Sequence, residues 1–166
     1  PEAEWSRSTE FQRHTLRLNG IWRTKWDVSL SGAYLYGSGN YYQTNFAANP
    51  FGHGGVTRYV TTPTTVPESA RDRFEGPASF AVGDVVPRNA LRGFPLHRVD
   101  VRLAKDVNLP AGTRITGIVE VFNLFNHENY GAYNGQVNST TFGDPRQNLL
   151  NAYQPRVVQL AFRVGF

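Results

Sequence analysis

The chain ends with the stretch YQPRVVQLAFRVGF, Tyr153 to Phe166, in which apolar side chains alternate with small or polar ones. Successive side chains of a β-strand point to opposite faces of a sheet, so this period of two indicates a strand with one apolar face. One side carries Arg156, Val158, Leu160, Phe162, Val164 and Phe166, and the other carries Val157, Gln159, Ala161, Arg163 and Gly165. Most domains end in loose polar residues, so an aromatic at the last position of the apolar face predicts a structural final residue.

The composition favours an all-β fold. Aromatic residues make up 13% of the 166 residues, 16 Gly and 10 Pro are scattered along the chain, and helical periodicity is almost absent. The sequence contains no Cys, which excludes a disulfide scaffold, a thiolate zinc site and a Cys nucleophile. A chain that begins at Pro1 and contains no Met is interpreted as a processed chain or a fragment whose upstream sequence is missing.

Four further alternating runs accompany the terminal one. The five predicted strands lie near residues 14–22, 26–36, 97–105, 113–125 and 156–166. Short turns at Arg23 to Lys25 and at Asp106 to Gly112 join the first two pairs of strands into hairpins, whereas the links from Gly37 to Leu96 and from Asn126 to Gln154 are long. Antiparallel strands joined alternately by short turns and long loops are typical of a transmembrane β-barrel, with the short turns in the periplasm and the long loops outside.

The length of the strands and the placement of aromatic residues agree with a barrel wall. No run of about 18 apolar residues occurs, so a transmembrane helix is not expected. Eight residues separate Trp26 from Tyr34, which spans roughly 20 Å of the bilayer at a tilt near 40°. Pairing Trp22 with Trp26 places both at the short-turn end, and Tyr34 and Tyr36 then lie at the other end, as two interfacial girdles require. An aromatic-rich soluble β-sandwich is the alternative.

Charged residues predict which face of the wall is polar. Centring the second short turn on residue 109 sets Arg98 opposite Glu120, close enough for an ion pair. An Arg on the lipid side would cost about 2–4 kcal/mol near the midplane, so this candidate ion pair is expected in the lumen. Val99, Val101, Val119 and Val121 should then face lipid.

Other chemistry is sparse. The net charge of +4 comes from dispersed Arg residues, so no nucleic-acid partner is expected. The four His residues show no metal spacing, no acid–base or nucleophilic grouping is evident, and we predict neither a cofactor nor an enzymatic activity. The first long link is rich in Tyr, Asn and Gly, residue types suited to substrate capture, although a loop packed over its neighbours is the alternative. Its candidate substrate contacts are Tyr41, Tyr42, Asn45 and Phe46.

Several motifs resemble those of known outer-membrane proteins. The ending LAFRVGF, with Phe162, Val164 and Phe166 on one face, resembles the signal by which bacterial outer-membrane barrels are recognised by the barrel assembly machinery. The stretch VEVFNLFNHENYG, followed by TFGDPRQ, resembles the last strands of TonB-dependent receptors. The most specific part of that stretch is the motif Phe122, Asn123, Leu124, Phe125 and Asn126. RNALRGFPLHRVDVRLAKDV resembles a strand of the Oar-like, carboxypeptidase-regulatory-domain group of that family.

This resemblance implies the C-terminal barrel segment of a TonB-dependent receptor in the bacterial outer membrane. Members of that family have an N-terminal plug, a TonB box and about 22 barrel strands, so residues 1–166 correspond to the last part of the barrel, without the plug. The implied partners are membrane lipid and lipopolysaccharide, the remainder of the barrel and plug, the barrel assembly machinery, and TonB through the plug. The alternative function is a secreted β-rich structural or adhesive protein that assembles by strand addition.

Overall fold

A computed structural model describes residues 5–9, 11–47, 57–146 and 154–166. The chain divides into two compact units. One unit, here called the loop unit, comprises Pro1–Arg13, Ser38–Pro95 and Tyr130–Leu149; the other, here called the wall, comprises His14–Gly37, Leu96–Asn129 and Leu150–Phe166. Residues 48–56 and 147–153 of the two long links lie outside the described residues.

The secondary structure is almost entirely β, as the composition predicted. In chain order the elements are β1 (Thr15–Arg23), β2 (Val28–Gly37), β3 (Tyr41–Tyr42), β4 (Thr64–Thr65), α1 (Glu68–Arg71), β5 (Ser79–Phe80), β6 (Leu91–Arg92), β7 (Leu96–Asn108), β8 (Arg114–Phe122) and β9 (Val157–Gly165). A 3-10 turn at Pro110–Gly112 separates β7 from β8. No helix in the described part of the chain has the length and hydropathy that a membrane span needs.

The wall is one antiparallel sheet of five strands in the order β1, β2, β7, β8, β9. All five predicted strands are present in this sheet, and neighbours in the sheet are also successive long strands in the sequence. This up-and-down order is that of a barrel wall, in which each strand pairs with the next one along the chain. The all-β, antiparallel fold class is therefore confirmed.

The first short turn is positioned differently from the prediction. β1 continues through Arg23, and Asp27 ends the turn in the left-handed region with a φ of 55°. A three-residue hairpin loop that ends in a left-handed residue is a common geometry, and it places Trp26 in the loop itself. Trp22 consequently lies opposite Leu30, so the predicted pairing of Trp22 with Trp26 was wrong.

The second short turn has the same geometry and the same consequence. Gly112 ends its loop with a φ of 77°, a conformation that glycine adopts without the steric penalty of a Cβ. The centre of the hairpin moves from residue 109 to residue 111, because β7 continues to Asn108. Arg102, and not Arg98, lies opposite Glu120, so the predicted pairing of Arg98 with Glu120 was wrong. The shift covers an even number of residues, so the assignment of side chains to faces is unchanged.

The loop unit has a hydrophobic core of its own. The two-stranded pairs β3–β6 and β4–β5 and the single helical turn α1 surround it. Its buried members are Phe46, Val60, Val66, Ala70, Phe74, Phe80, Val86, Ala90, Leu91, Tyr133, Val137 and Phe142. The two long links were predicted to be loops. They contain a packed core, which stabilises them by burial of apolar surface.

Candidate functional site

One face of the wall is apolar across all five strands, apart from His97 and Lys105 in β7. The register aligns the alternate residues of all five strands on this face: Leu16, Leu18, Gly20 and Trp22; Val28, Leu30, Gly32, Tyr34 and Tyr36; His97, Val99, Val101, Leu103, Lys105 and Val107; Ile115, Gly117, Val119 and Val121; Val158, Leu160, Phe162 and Val164. Leu160 is 75% exposed and Phe162 is 78% exposed. Such a large exposed apolar surface would be unfavourable in water and suits contact with lipid.

The opposite face of the wall is polar. Its charged and hydrogen-bonding side chains are Thr15, Arg17, Asn19, Arg23, Ser29, Ser31, Arg98, Asp100, Arg102, Asp106, Asn108, Arg114, Thr116, Glu120, Gln159 and Arg163. Nε of Arg98 donates to both carboxylate oxygens of Asp100, at 2.8 and 2.9 Å. Thr116 donates to Oδ1 of Asp106 at 2.6 Å across the β7–β8 pair. An alternation of this kind, apolar outside and polar inside, is the pattern of a membrane barrel strand.

An open depression of about 330 Å³ on the polar face is lined by residues of β1, β2, β7 and β8. Ser31 and Ala33 are the small polar-face residues in its lining, and Asp100, Arg102 and Glu120 contribute charge. Nη1 of Arg102 is 3.5 Å from Oε1 of Glu120. Both signs of charge are therefore available at this position, which suits a polar solute that has both donors and acceptors.

The predicted interfacial aromatics lie at the two ends of the apolar face. Trp22 is 66% exposed on that face, and Trp26, in the adjoining turn, is 74% exposed. At the other end, the hydroxyl of Tyr34 lies 3.1 Å from Nδ1 of His97, and the ring of Tyr36 lies 5.0 Å from the His97 ring. The two Trp residues and the two Tyr residues thus lie at opposite ends of the apolar face. Their role as interfacial girdles stays a prediction.

The motif from Phe122 to Asn126 ends a strand instead of continuing it. β8 stops at Phe122, so the prediction of a strand to residue 125 was wrong. Asn123 and Asn126 adopt φ values of 51° and 52°, which break the extended backbone, and Asn tolerates this left-handed region better than most residues. Phe125 is exposed, and the backbone N–H of Leu124 donates to the carbonyl of Val99 at 2.8 Å.

The side chain of Asn123 connects three segments of the wall. It is 2% exposed, and its amide donates to the carbonyls of His127 and Gln154, at 3.0 and 3.1 Å. Its Oδ1 accepts the N–H of His127 at 3.0 Å, and its own backbone N–H donates to Asp100 at 2.9 Å. Asn126 accepts the N–H of Arg156 at 2.9 Å. The two asparagines therefore hold the start of β9 against the end of the β7–β8 hairpin.

Two residues of the predicted assembly signal, Phe162 and Val164, lie on the apolar face. Phe162 is 78% exposed and Val164 is 47% exposed on β9, and Phe166, which follows the strand, is fully exposed. Their recognition by an assembly machinery stays a prediction.

The four candidate substrate contacts divide into two groups by burial. Tyr41 and Phe46 are 1% and 2% exposed, so packing occupies these side chains. Tyr42 and Asn45 are half-buried, and the ring of Tyr42 lies 4.7 Å from that of Tyr133. Of these four side chains, only those of Tyr42 and Asn45 are accessible to a solute. Substrate binding by this loop stays a prediction.

A charged cluster in the loop unit was not expected from the sequence. The hydroxyl of Tyr41 donates to Oε1 of Glu75 at 2.5 Å, and Arg7 forms an ion pair with Oε2 of the same carboxylate. Burial alone would raise the pKa of Glu75, but the hydrogen bonds from Tyr41 and Arg7 and the charges of Arg7 and Arg13 together lower it. Burial and the bond to Glu75 raise the pKa of Tyr41. Tyr41 is 34 positions from Glu75 and Arg7 is 68 positions from it, so no local sequence pattern could have indicated these contacts.

A second cation in the loop unit is held between aromatic rings. The guanidinium of Arg73 lies 4.0 Å from the ring centre of Phe94 and 5.6 Å from that of Tyr133. It also donates to the carbonyl of Gly143 at 2.8 Å. Burial lowers the pKa of Arg73. Within the described residues, no group of three or more His, Asp or Glu side chains could hold a metal ion.

Comparison with known proteins identifies one family. A family model described as an outer membrane beta barrel domain matches residues 1–159. No curated protein and no solved structure matches the chain. The matched range includes β1 to β8 and the beginning of β9. A barrel family agrees with a wall that has one apolar and one polar face.

Proposed function

Because the chain belongs to the outer membrane beta barrel domain family, and is located in the bacterial outer membrane, we propose that it forms part of the wall and outer loops of a TonB-dependent receptor. In such a receptor, a solute binds from outside, and energy from the inner membrane reaches the plug through TonB. The chain would supply wall strands, outer loops and an assembly signal. We propose no enzymatic role for it.

The observation that carries this proposal is the two-sided wall. Every strand of the sheet contributes to both the apolar and the polar face, and the register keeps these faces separate over all five strands. Lipid requires that backbone groups pair within the protein, and antiparallel pairing provides this for β2, β7 and β8. The family match favours this membrane wall over the secreted β-rich protein that was the alternative.

The edges of the wall support membership of a larger barrel. In the part of the chain that the structure describes, no strand pairs with the outer edge of β1 or of β9. Unpaired strand edges are unfavourable in lipid, and a barrel removes them by closing on itself. We therefore propose that further strands complete the barrel, and that a plug occupies its lumen, as in the receptors that the sequence resembles.

The polar face is the proposed contact surface for the plug or the solute. Its depression places Asp100, Arg102 and Glu120 around small residues, so a neighbouring segment could approach the sheet closely. Tyr42 and Asn45 of the loop unit are separately proposed as solute contacts, because their side chains are half-buried and not fully packed. Lipopolysaccharide, membrane lipid and the barrel assembly machinery are proposed partners of the apolar face, and TonB is a proposed partner through the plug.

The decisive experiment uses the full-length gene product. The coding sequence upstream of Pro1 should encode a plug with a TonB box, and the purified full-length protein should bind the periplasmic domain of TonB in a pull-down assay. Removal of the TonB box should abolish that binding and leave the barrel in the outer membrane. A soluble catalytic domain directly before Pro1, or TonB binding that does not depend on the box, would overturn the proposal.

A further inference from the structure

The apolar face contains one charged side chain, that of Lys105 in β7. Among the described residues of the five wall strands, no other Asp, Glu, Lys or Arg lies on this face. Lys105 is exposed, with Val28 opposite it in β2 and Gly117 opposite it in β8. A cation on a lipid-facing surface is unfavourable near the bilayer midplane and costs much less near the interface, where headgroups are within reach.

The position of Lys105 along β7 places it near the periplasmic boundary of the membrane. About nine residue steps separate it from Leu96 at the other end of the strand, which is roughly 23 Å along the membrane normal at a tilt near 40°. The apolar band of a bacterial barrel is about 25 Å tall. Trp22 and Trp26 lie at the same short-turn end, and Trp is enriched at membrane interfaces.

The surroundings of Lys105 leave room for a ligand. A Cβ added to Gly117 would meet no atom within 4 Å, so the surface beside the lysine is open. The ammonium donates one hydrogen bond to the carbonyl of Trp26, and an ammonium has three donors. In the described part of the chain, Lys105 forms no ion pair.

We propose that Lys105 binds the phosphate headgroup of an anionic phospholipid in the periplasmic leaflet. The two remaining N–H donors would contact the phosphate oxygens above Gly117, and the Trp22 indole would lie at headgroup level. The acyl chains of the same lipid would cover the neighbouring apolar side chains, Leu103 and Val119, which are 44% and 39% exposed. A membrane lipid fits better than a soluble phosphate, because the cation is surrounded by apolar side chains. This inference rests on the barrel wall and does not require the TonB-dependent role.

The test compares lipid selection by the full-length protein and its variants. Each protein is purified in detergent, mixed with equal amounts of phosphatidylglycerol and phosphatidylcholine of identical acyl chains, and the bound lipids are counted by native mass spectrometry. Lys105→Gln should reduce the preference for phosphatidylglycerol about fivefold, since one lysine near an anionic surface contributes about that factor. Lys105→Arg should retain the preference. Lys25→Gln is the matched control, because Lys25 lies in the adjoining turn and not on the apolar face.

A second variant keeps the positive charge of Lys105 and fills the open surface beside it. Gly117→Leu should fill the open surface beside Lys105 and also reduce the preference for phosphatidylglycerol. Heat-dependent mobility in detergent gels verifies that each variant is folded. An unchanged preference in folded Lys105→Gln would overturn the proposal. Loss of the wild-type preference on addition of inorganic phosphate would also overturn it, because the site would then bind soluble phosphate.

Discussion

Arg102 of β7 lies directly opposite Glu120 of β8, and their charged groups approach to 3.5 Å on the polar face of the wall. The side chain of Arg102 is 47% exposed and that of Glu120 is 21% exposed, so water screens the pair. Exposed ion pairs of this kind contribute little to stability. This pair nevertheless reports the register, because Arg102 and Glu120 are directly opposite in the β7–β8 pair.

The register predicts which charge pair is energetically coupled. A double-mutant cycle with Arg102→Ala and Glu120→Ala should give a coupling energy of about 0.5 kcal/mol in the free energy of unfolding. The matched cycle with Arg98→Ala and Glu120→Ala should give a value near zero, because Arg98 pairs with Asp100 instead. Urea unfolding of the full-length protein in lipid vesicles measures both cycles. The reverse order of the two coupling energies would contradict the register.

The two faces of β9 predict an alternating pattern of chemical labelling. Residues 1–166 contain no Cys, so they contribute no background labelling when single cysteines are introduced. Cysteines at Gln159 and Arg163 should react with a water-soluble maleimide in the assembled protein, since these positions belong to the polar face. Cysteines at Leu160 and Phe162 should be protected by lipid and react only after unfolding in detergent and urea. Equal labelling of neighbouring positions would exclude a two-sided wall.

Asn123 is expected to be the most sensitive position of its motif. Asn123→Ala removes three side-chain hydrogen bonds and leaves the carbonyls of His127 and Gln154 without these donors. We expect a loss of about 2–4 kcal/mol in the free energy of unfolding, because these three hydrogen bonds belong to a side chain that is 2% exposed. Asn126→Ala, which removes one bond from an exposed side chain, should cost about 1 kcal/mol. Urea titration of both variants measures this difference, and equal losses would contradict the assigned role of Asn123.

The strands could be predicted from the sequence, whereas their registers could not. An apolar–polar alternation with a period of two locates strands such as β9, because successive side chains point alternately to lipid and to the lumen. The register depends on the residue at which the turn closes, and Asp27 and Gly112 close their loops through left-handed backbone. Neither position alters the hydrophobic pattern. Face assignments were therefore correct although the cross-strand partners of Trp22 and Glu120 were not.

The loop unit could not be predicted because its stabilising contacts are between residues far apart in sequence. Its core joins Phe46, Phe74 and Phe142, which belong to segments without regular periodicity. Single apolar residues in a loop rich in Tyr, Asn and Gly favour no particular partner. The candidate substrate contacts were selected by residue type, and residue type alone does not separate the buried Tyr41 from the half-buried Tyr42.

Phe142 tests whether the loop unit is a cooperatively packed structure. Its ring is fully buried and makes an edge contact with Phe74 at 5.3 Å between centres. Phe142→Ala should destabilise the loop unit by about 3–5 kcal/mol through lost burial and a cavity. Protease added outside cells should then cleave within residues 57–95, whereas Val82→Ala, at a position 59% exposed, should leave the cleavage rate unchanged. Equal resistance of wild type and Phe142→Ala would contradict a packed core.

The Arg7–Tyr41–Glu75 cluster predicts a pH dependence of the same unit. The folded state lowers the pKa of Glu75 below its ordinary value of 4.5, so the folded state favours the charged carboxylate. This stabilisation is present above pH 4.5 and is lost as the pH falls through the folded pKa. Because the side chain is 42% exposed, the effect should be modest.

Glu75→Gln should lower the urea midpoint of the loop unit at neutral pH, and its deficit relative to wild type should shrink under acid conditions. Glu68→Gln, at the exposed start of α1 and outside the cluster, is the control for the loss of one carboxylate. A Glu75→Gln deficit that stays constant well below pH 4.5 would show that the cluster stabilises the unit without the charge of Glu75.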